Sequence, residues 1–133
     1  MKADKKNTVL LIDDDFAIRM MFRKLLEEAG FSVIGEAEDG REGVELHNAL
    51  KPDITLCDIE MPVMHGIAAL KTILASFPTS CVIMLTSVNH PEVWEDCLLA
   101  GARFYINKSS THADIIRIIR DSWNDHQKLM AIP

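Results

Sequence analysis

Asp53-Ile54-Thr55-Leu56-Cys57-Asp58-Ile59-Glu60-Met61-Pro62 is the stretch that decides the fold. An apolar run ends abruptly at a carboxylate, and a proline follows four residues later. Proline has no N–H to give to a ladder, so the run reads as a buried strand that delivers Asp58 to its own C-terminal edge. Open α/β sheets bind ligands at that edge. Aspartate is also an ordinary turn residue, so Asp58 becomes a site candidate only if other strand ends bring partners to it.

The neighbouring segments supply them. Val9-Leu10-Leu11-Ile12 is another continuous apolar run, the pattern of a strand buried on both faces, and it stops at Asp13-Asp14-Asp15. Asp15 suits a helix start more than a ligand. Ile18, Met21, Phe22, Leu25, Leu26 and Ala29 then recur at helical spacing, with Gly30 at the place of a C-cap. Phe31 to Ala37 predicts a second strand, and Gly40 opens a helix whose apolar side is Val44, His47 and Leu50. His47 reads as a packed histidine, because no second ligand lies one helical turn away.

Beyond Pro62, Gly66 precedes a third helix carrying Ile67, Leu70, Ile73 and Leu74, ended by Pro78. A fourth strand over 81–85 ends in hydroxyls, Thr86-Ser87. Pro91 fits the first turn of a fourth helix with Trp94, Cys97, Leu98 and Gly101 on one stripe. Phe104-Tyr105-Ile106 is a short fifth strand ending near Lys108, and Thr111 caps a last helix that buries Ile115, Ile116, Ile119 and Trp123. Residues 124–133 read as a polar, ragged tail. Strands alternating with helices predict a doubly wound α/β domain spanning 1–133, with a core from about 8 to 122 and a five-stranded parallel sheet covered by five helices.

Composition narrows the function. A net charge of −6 speaks against a nucleic-acid surface. No run approaches the ~18 apolar residues of a membrane span, and the N-terminal apolar stretch is too short for a signal peptide, so a cytoplasmic protein is expected. Cys57, Cys81 and Cys97 are odd in number and set among apolar neighbours, which predicts buried reduced thiols.

In the doubly wound strand order 2-1-3-4-5, strands one and three are neighbours, and Asp13 and Asp14 stand beside Asp58. Three crowded carboxylates repel, and such a group either raises its pKa values or recruits a hard divalent cation; an exposed loop with oxygen ligands favours Mg²⁺. Thr86 ends the adjacent strand four, while Lys108 is long enough to reach back over the site. Acid, acid, hydroxyl and amine at the ends of strands one, three, four and five make a phosphoryl-binding pocket, with Asp58 as the group to be phosphorylated.

Taken together, Ile12-Asp13-Asp14-Asp15, Asp58-Ile59-Glu60-Met61-Pro62 with Gly66, Thr86-Ser87, and Gly101-Ala102-Arg103-Phe104-Tyr105-Ile106-Asn107-Lys108 resemble the receiver domain of two-component response regulators, over about residues 8–122. The flavodoxin-like strand order 2-1-3-4-5 is carried over with that resemblance. The resemblance implies Asp58 as phosphoacceptor, and Asp13, Asp14 and the backbone carbonyl of Glu60 as further Mg²⁺ ligands. It implies Lys108 and Thr86 as catalytic groups, and Thr86 and Tyr105 as switch residues. The implied partners are a sensor histidine kinase or phosphotransfer protein, and a downstream effector or a second copy docking on the face of helix four, strand five and helix five. Neither direct nucleic-acid nor membrane binding is implied.

The implied activity is a signalling switch that catalyses its own phosphorylation and dephosphorylation. Three positions depart from the family pattern: His65 precedes Gly66 in place of an Asp or Asn, Phe104 replaces a glycine before Tyr105, and Ser109 replaces a proline after Lys108. The competing reading is a metal-dependent phosphohydrolase working through an aspartyl-phosphate, since Asp58-x-Glu60 after an apolar strand resembles a haloacid-dehalogenase nucleophile motif. It explains Asp13 and Asp14 poorly, and such enzymes need a cap domain to hold substrate.

Overall fold

The computed structural model describes residues 5–87 and 90–132; residues 1–4 and Pro133, the ends of the expected 1–133 span, lie outside the described residues. The chain runs β1 (Thr8–Ile12), α1 (Phe16–Glu28), β2 (Ser32–Ala37), α2 (Gly40–Leu50), β3 (Ile54–Asp58), α3 (Gly66–Ser76), β4 (Cys81–Thr86), α4 (Pro91–Leu99), β5 (Phe104–Asn107) and α5 (His112–Met130). All strands are parallel, in the order β2-β1-β3-β4-β5. This is the flavodoxin-like arrangement expected from the sequence.

The strand runs are continuously apolar because the central strands are covered on both faces: every residue of β3 and of β4 is buried. One core layer packs Val9, Leu11, Leu56 and Ile83 against Phe22 and Leu26 of α1 and Ile115 and Ile119 of α5. The other packs Leu10, Ile12, Cys57, Val82 and Met84 against Leu70 and Ile73 of α3 and Cys97 of α4. Each large apolar side chain buried in this way stabilises the fold by roughly 1.5–3 kcal/mol. The three cysteines are free and buried, as expected of reduced thiols.

Caps set the helix ends. The Asp15 carboxylate accepts hydrogen bonds from the amides of Ala17 and Ile18 and starts α1. Gly30, at φ +95°, takes the left-handed turn after that helix. Thr111 Oγ1 accepts from the Asp114 amide and starts α5.

Two readings are corrected. Leu50 and Leu98, expected on buried stripes, are exposed. Residues 124–130 are not a ragged tail: they continue α5 to Met130. The anchor is His126, buried on that last stretch, whose Nδ1 accepts from Arg103 Nε at 3.1 Å and whose Nε2 lies 2.8 Å from the Thr79 carbonyl. No helix among the described residues is long and apolar enough to cross a membrane.

Candidate functional site

β1 and β3 lie side by side with Ile12 opposite Cys57, so the residues that follow them emerge together at one sheet edge. Asp13 and Asp58 are almost fully buried there, and Asp14 is exposed. Carboxylate oxygens of the three lie within 4.8 Å of one another. Asp13 is fixed in the loop: its amide donates to the Ala37 carbonyl at 3.0 Å, and its Oδ1 accepts from the Asp15 amide at 2.9 Å.

Lys108 reaches this group from the end of β5. Its amide donates to the Thr86 carbonyl, and its ammonium stands 2.7 Å from Asp13 Oδ2 and 3.1 Å from Asp58 Oδ1. Burial and the neighbouring Asp13 push the Asp58 carboxyl up to about 6, against the lowering pull of Lys108. Burial would push the Lys108 ammonium down, but its hydrogen bond with Asp13 and the charge of Asp58 outweigh that and hold it above the usual lysine value. A carboxyl raised by like charge and desolvation is a poised group, ready to gain from a cation.

Thr86 closes β4, is buried, and follows Leu85, the register partner of Asp58. Glu60 lies in the bend just after β3 with its side chain exposed. The loop is pinned from behind, since the Gly66 amide donates to the Ile59 carbonyl at 2.8 Å. A Cβ at Gly66 would collide with the Asp58 carbonyl oxygen, so only glycine lets α3 begin this close to the strand. Tyr105 is on β5 opposite Met84. Its ring stacks with Trp94 of α4 (4.7 Å, 10° between planes) and with Phe104 (4.7 Å, 29°). The structure thus gathers Asp13, Asp14, Asp58 and Lys108 at one point, sets Thr86 beside them on the sheet edge, and puts Tyr105 on the α4–β5 face.

The donor set is compatible with a hard divalent cation. It offers only oxygens, with one exposed member through which waters can be retained. Burial and the charge of Asp58 push the Cys57 thiol far up, so that neighbour offers no thiolate. A separate cavity of about 540 Å³, lined by His47, Trp123, His126 and Met130 among others, also touches Asp53 and Ser80, which precede β3 and β4. It lies at the opposite end of the strands from the carboxylates.

Sequence reading missed Arg19. It is buried on the same α1 stripe as Phe22 and Leu26, and its Nη1 donates to the Asp13 carbonyl at 2.6 Å. The available signal was a cation at an apolar helical position six residues after the first acid.

Fold and site together define a doubly wound α/β domain with an acidic, lysine-bearing pocket at the switch point of its sheet. The response regulator receiver domain family matches residues 9–120, and the chain belongs to that family, that of phosphorylation-dependent switches in two-component systems. It is 40% identical over 100 residues to the chemotaxis protein CheY of Thermotoga maritima, covering 75% of this chain and 83% of the relative. It is 42% identical over 120 residues to a protein-glutamate methylesterase/protein-glutamine glutaminase of Geobacter sulfurreducens, covering 88% of this chain but 33% of that longer protein. Among solved structures, a CheX–CheY–BeF₃–Mg²⁺ complex from Borrelia burgdorferi superposes with a TM-score of 0.84 at 29% identity, over 86% of this chain and 87% of that one.

Proposed function

We propose that Asp58 accepts a phosphoryl group from the phosphohistidine of a sensor histidine kinase or phosphotransfer protein, in a Mg²⁺-dependent reaction, and that the α4–β5–α5 face changes in response. The observation that carries this reading is the Lys108 ammonium held at 3.1 Å from Asp58 and 2.7 Å from Asp13. A fixed cation beside an ionised carboxylate at a strand end suits a transferring phosphoryl group, because the carboxylate can attack phosphorus while the cation offsets charge on the phosphoryl oxygens.

Asp13, Asp14, Asp58 and the main-chain carbonyl of Glu60 are the groups that would hold Mg²⁺. When bound, the metal would offset charge on the phosphoryl oxygens. An Asp58 carboxylate oxygen then forms the new bond to phosphorus as the P–N bond to the donor imidazole breaks, and the electron pair stays on the imidazole nitrogen. Lys108 pairs with a phosphoryl oxygen, and the Thr86 hydroxyl donates to another. The same groups favour attack by water on the acyl phosphate, so the switch resets itself. Movement of Thr86 changes the room available to Tyr105, and the α4–β5–α5 face meets an effector or a second copy. Three buried thiols suit the reducing cytoplasm.

The test is incubation with acetyl phosphate and Mg²⁺. One phosphoryl group labile to hydroxylamine is expected on the parent and none on Asp58→Asn. Equal labelling of the two proteins would place the acceptor elsewhere.

A further inference from the structure

Arg19 is a buried cation on an apolar helix stripe, and burial of a charge is costly unless the partners are good. Its partners come from three directions. Nε pairs with Glu36 Oε1 at 3.1 Å, Nη2 lies 3.6 Å from Glu38 Oε1, and the guanidinium carbon sits 5.6 Å from the Phe16 ring centre. Glu36 is itself held by Arg23, whose Nε is 2.8 Å from Oε2. The fourth contact, Nη1 to the Asp13 carbonyl at 2.6 Å, is the one that touches the acidic pocket.

An apolar side chain would serve the core equally well or better, because ion pairs of this kind seldom gain net stability. What arginine adds is a hold on Asp13. Two bonds fix the Asp13 carboxylate itself, one from the Asp15 amide and one from Lys108. A cation held by these carboxylates would repel the Lys108 ammonium and weaken its hold on Asp13. The Ala37 carbonyl that accepts from the Asp13 amide, the Asp15 amide and the Arg19 guanidinium would then keep the loop in place, and of these only Arg19 is a side chain.

We infer that Arg19 is a positioning residue for the cation: through the Asp13 main chain it keeps the carboxylate aimed into the pocket as the Lys108 ammonium gives way. This rests on the Mg²⁺ reading above. Outer groups that orient metal ligands typically change affinity about 10- to 100-fold. Simple charge proximity predicts the opposite sign, since removing a nearby positive charge strengthens cation binding.

Mg²⁺ affinity is measured by calorimetric titration for the parent, Arg19→Lys, Arg19→Met and Arg23→Met, with the metal-free melting temperature followed alongside. Arg19→Lys keeps the charge and loses the fork, and it is expected to bind Mg²⁺ roughly tenfold more weakly. Arg19→Met is expected to bind more weakly as well, despite losing a positive charge. Arg23→Met shares Glu36 but does not touch Asp13, and it should stay within about twofold of the parent. Parent-like affinity in Arg19→Lys, or tighter binding in Arg19→Met, overturns the positioning role and leaves the Mg²⁺ site standing. Absence of Mg²⁺ binding by the parent overturns both. Should Arg19→Met fail to fold, Arg19→Lys decides alone.

Discussion

The Lys108 ammonium is closer to Asp13, at 2.7 Å, than to Asp58, at 3.1 Å. The lysine pairs with two of the carboxylates proposed to hold a divalent cation, so on that reading the two would compete for Asp13. Lys108→Ala should therefore tighten Mg²⁺ binding by roughly tenfold, equivalent to ~1.4 kcal/mol of removed repulsion. The same variant should lose most of its phosphorylation by acetyl phosphate. Calorimetry and phosphorylation kinetics on one preparation check both, and weaker Mg²⁺ binding would contradict the competition.

Asp58 is a destabilising group at neutral pH. Its folded-state value of about 6 lies above the ordinary 3.8, so the folded state holds its proton more tightly than the unfolded chain does. The stability this represents is fully present below about pH 4 and is lost as pH rises through 6. Without metal, Asp58→Asn should therefore be more stable than the parent at pH 7, by on the order of 1–2 kcal/mol after allowance for the partner lost to Lys108. The gain should shrink towards pH 4. Paired thermal melts across pH 4–8 measure it, and a gain independent of pH would show that relief of this charge is not its source.

His126 shows the opposite sign. Burial holds its imidazole below the usual value, and Arg103 lowers it further against the raising hydrogen bond to Thr79. The neutral ring is the one that fits, since Nδ1 accepts from Arg103. Its contribution is present above the unfolded value of about 6.5 and is lost as pH falls through the lower folded value. The stability difference between parent and His126→Gln should be largest at pH 7–8 and narrow towards pH 5. Hydrogen exchange should show the last two turns of α5 opening first as the pH drops.

These cases show what the sequence can carry. β3 and β4 were legible because burial on both faces leaves continuous apolar runs. The site was legible because unlike polar groups sit at successive strand ends. The final turns of α5 were not, because their buried face rests on His126, a residue that composition scores as polar. Arg19 was hidden for a similar reason: its burial is set by Glu36 of β2 and the Asp13 carbonyl, remote contacts that helical periodicity does not encode. Val63 adopts φ +67° in a tight turn closed by the Met64 amide on the Pro62 carbonyl. A β-branched residue gives no sign of that conformation.

The two tryptophans have different surroundings. Trp94 stacks on Tyr105 at 4.7 Å, whereas Trp123 stacks on His126 at 5.9 Å, beside the distant cavity. Any rotation of Tyr105 must break the Trp94 stack and also change its contact with Phe104. Aromatic contacts of this kind are worth about 0.5–1.5 kcal/mol each beyond their buried area, so together they would clamp Tyr105 against a switching rotation. Mg²⁺ alone, bound at the carboxylates as proposed, should leave both emissions nearly unchanged. Beryllofluoride added with Mg²⁺ mimics the phosphoryl group, and it should shift Trp94 emission in Trp123→Phe while Trp94→Phe stays silent. Phe104→Gly removes one wall of the clamp and should enlarge the Trp94 change or bring it on at lower beryllofluoride. If Trp94 is silent with Asp58 occupied, and Phe104→Gly does not awaken it, Tyr105 stays clamped and the signal leaves by a route other than the α4–β5 face.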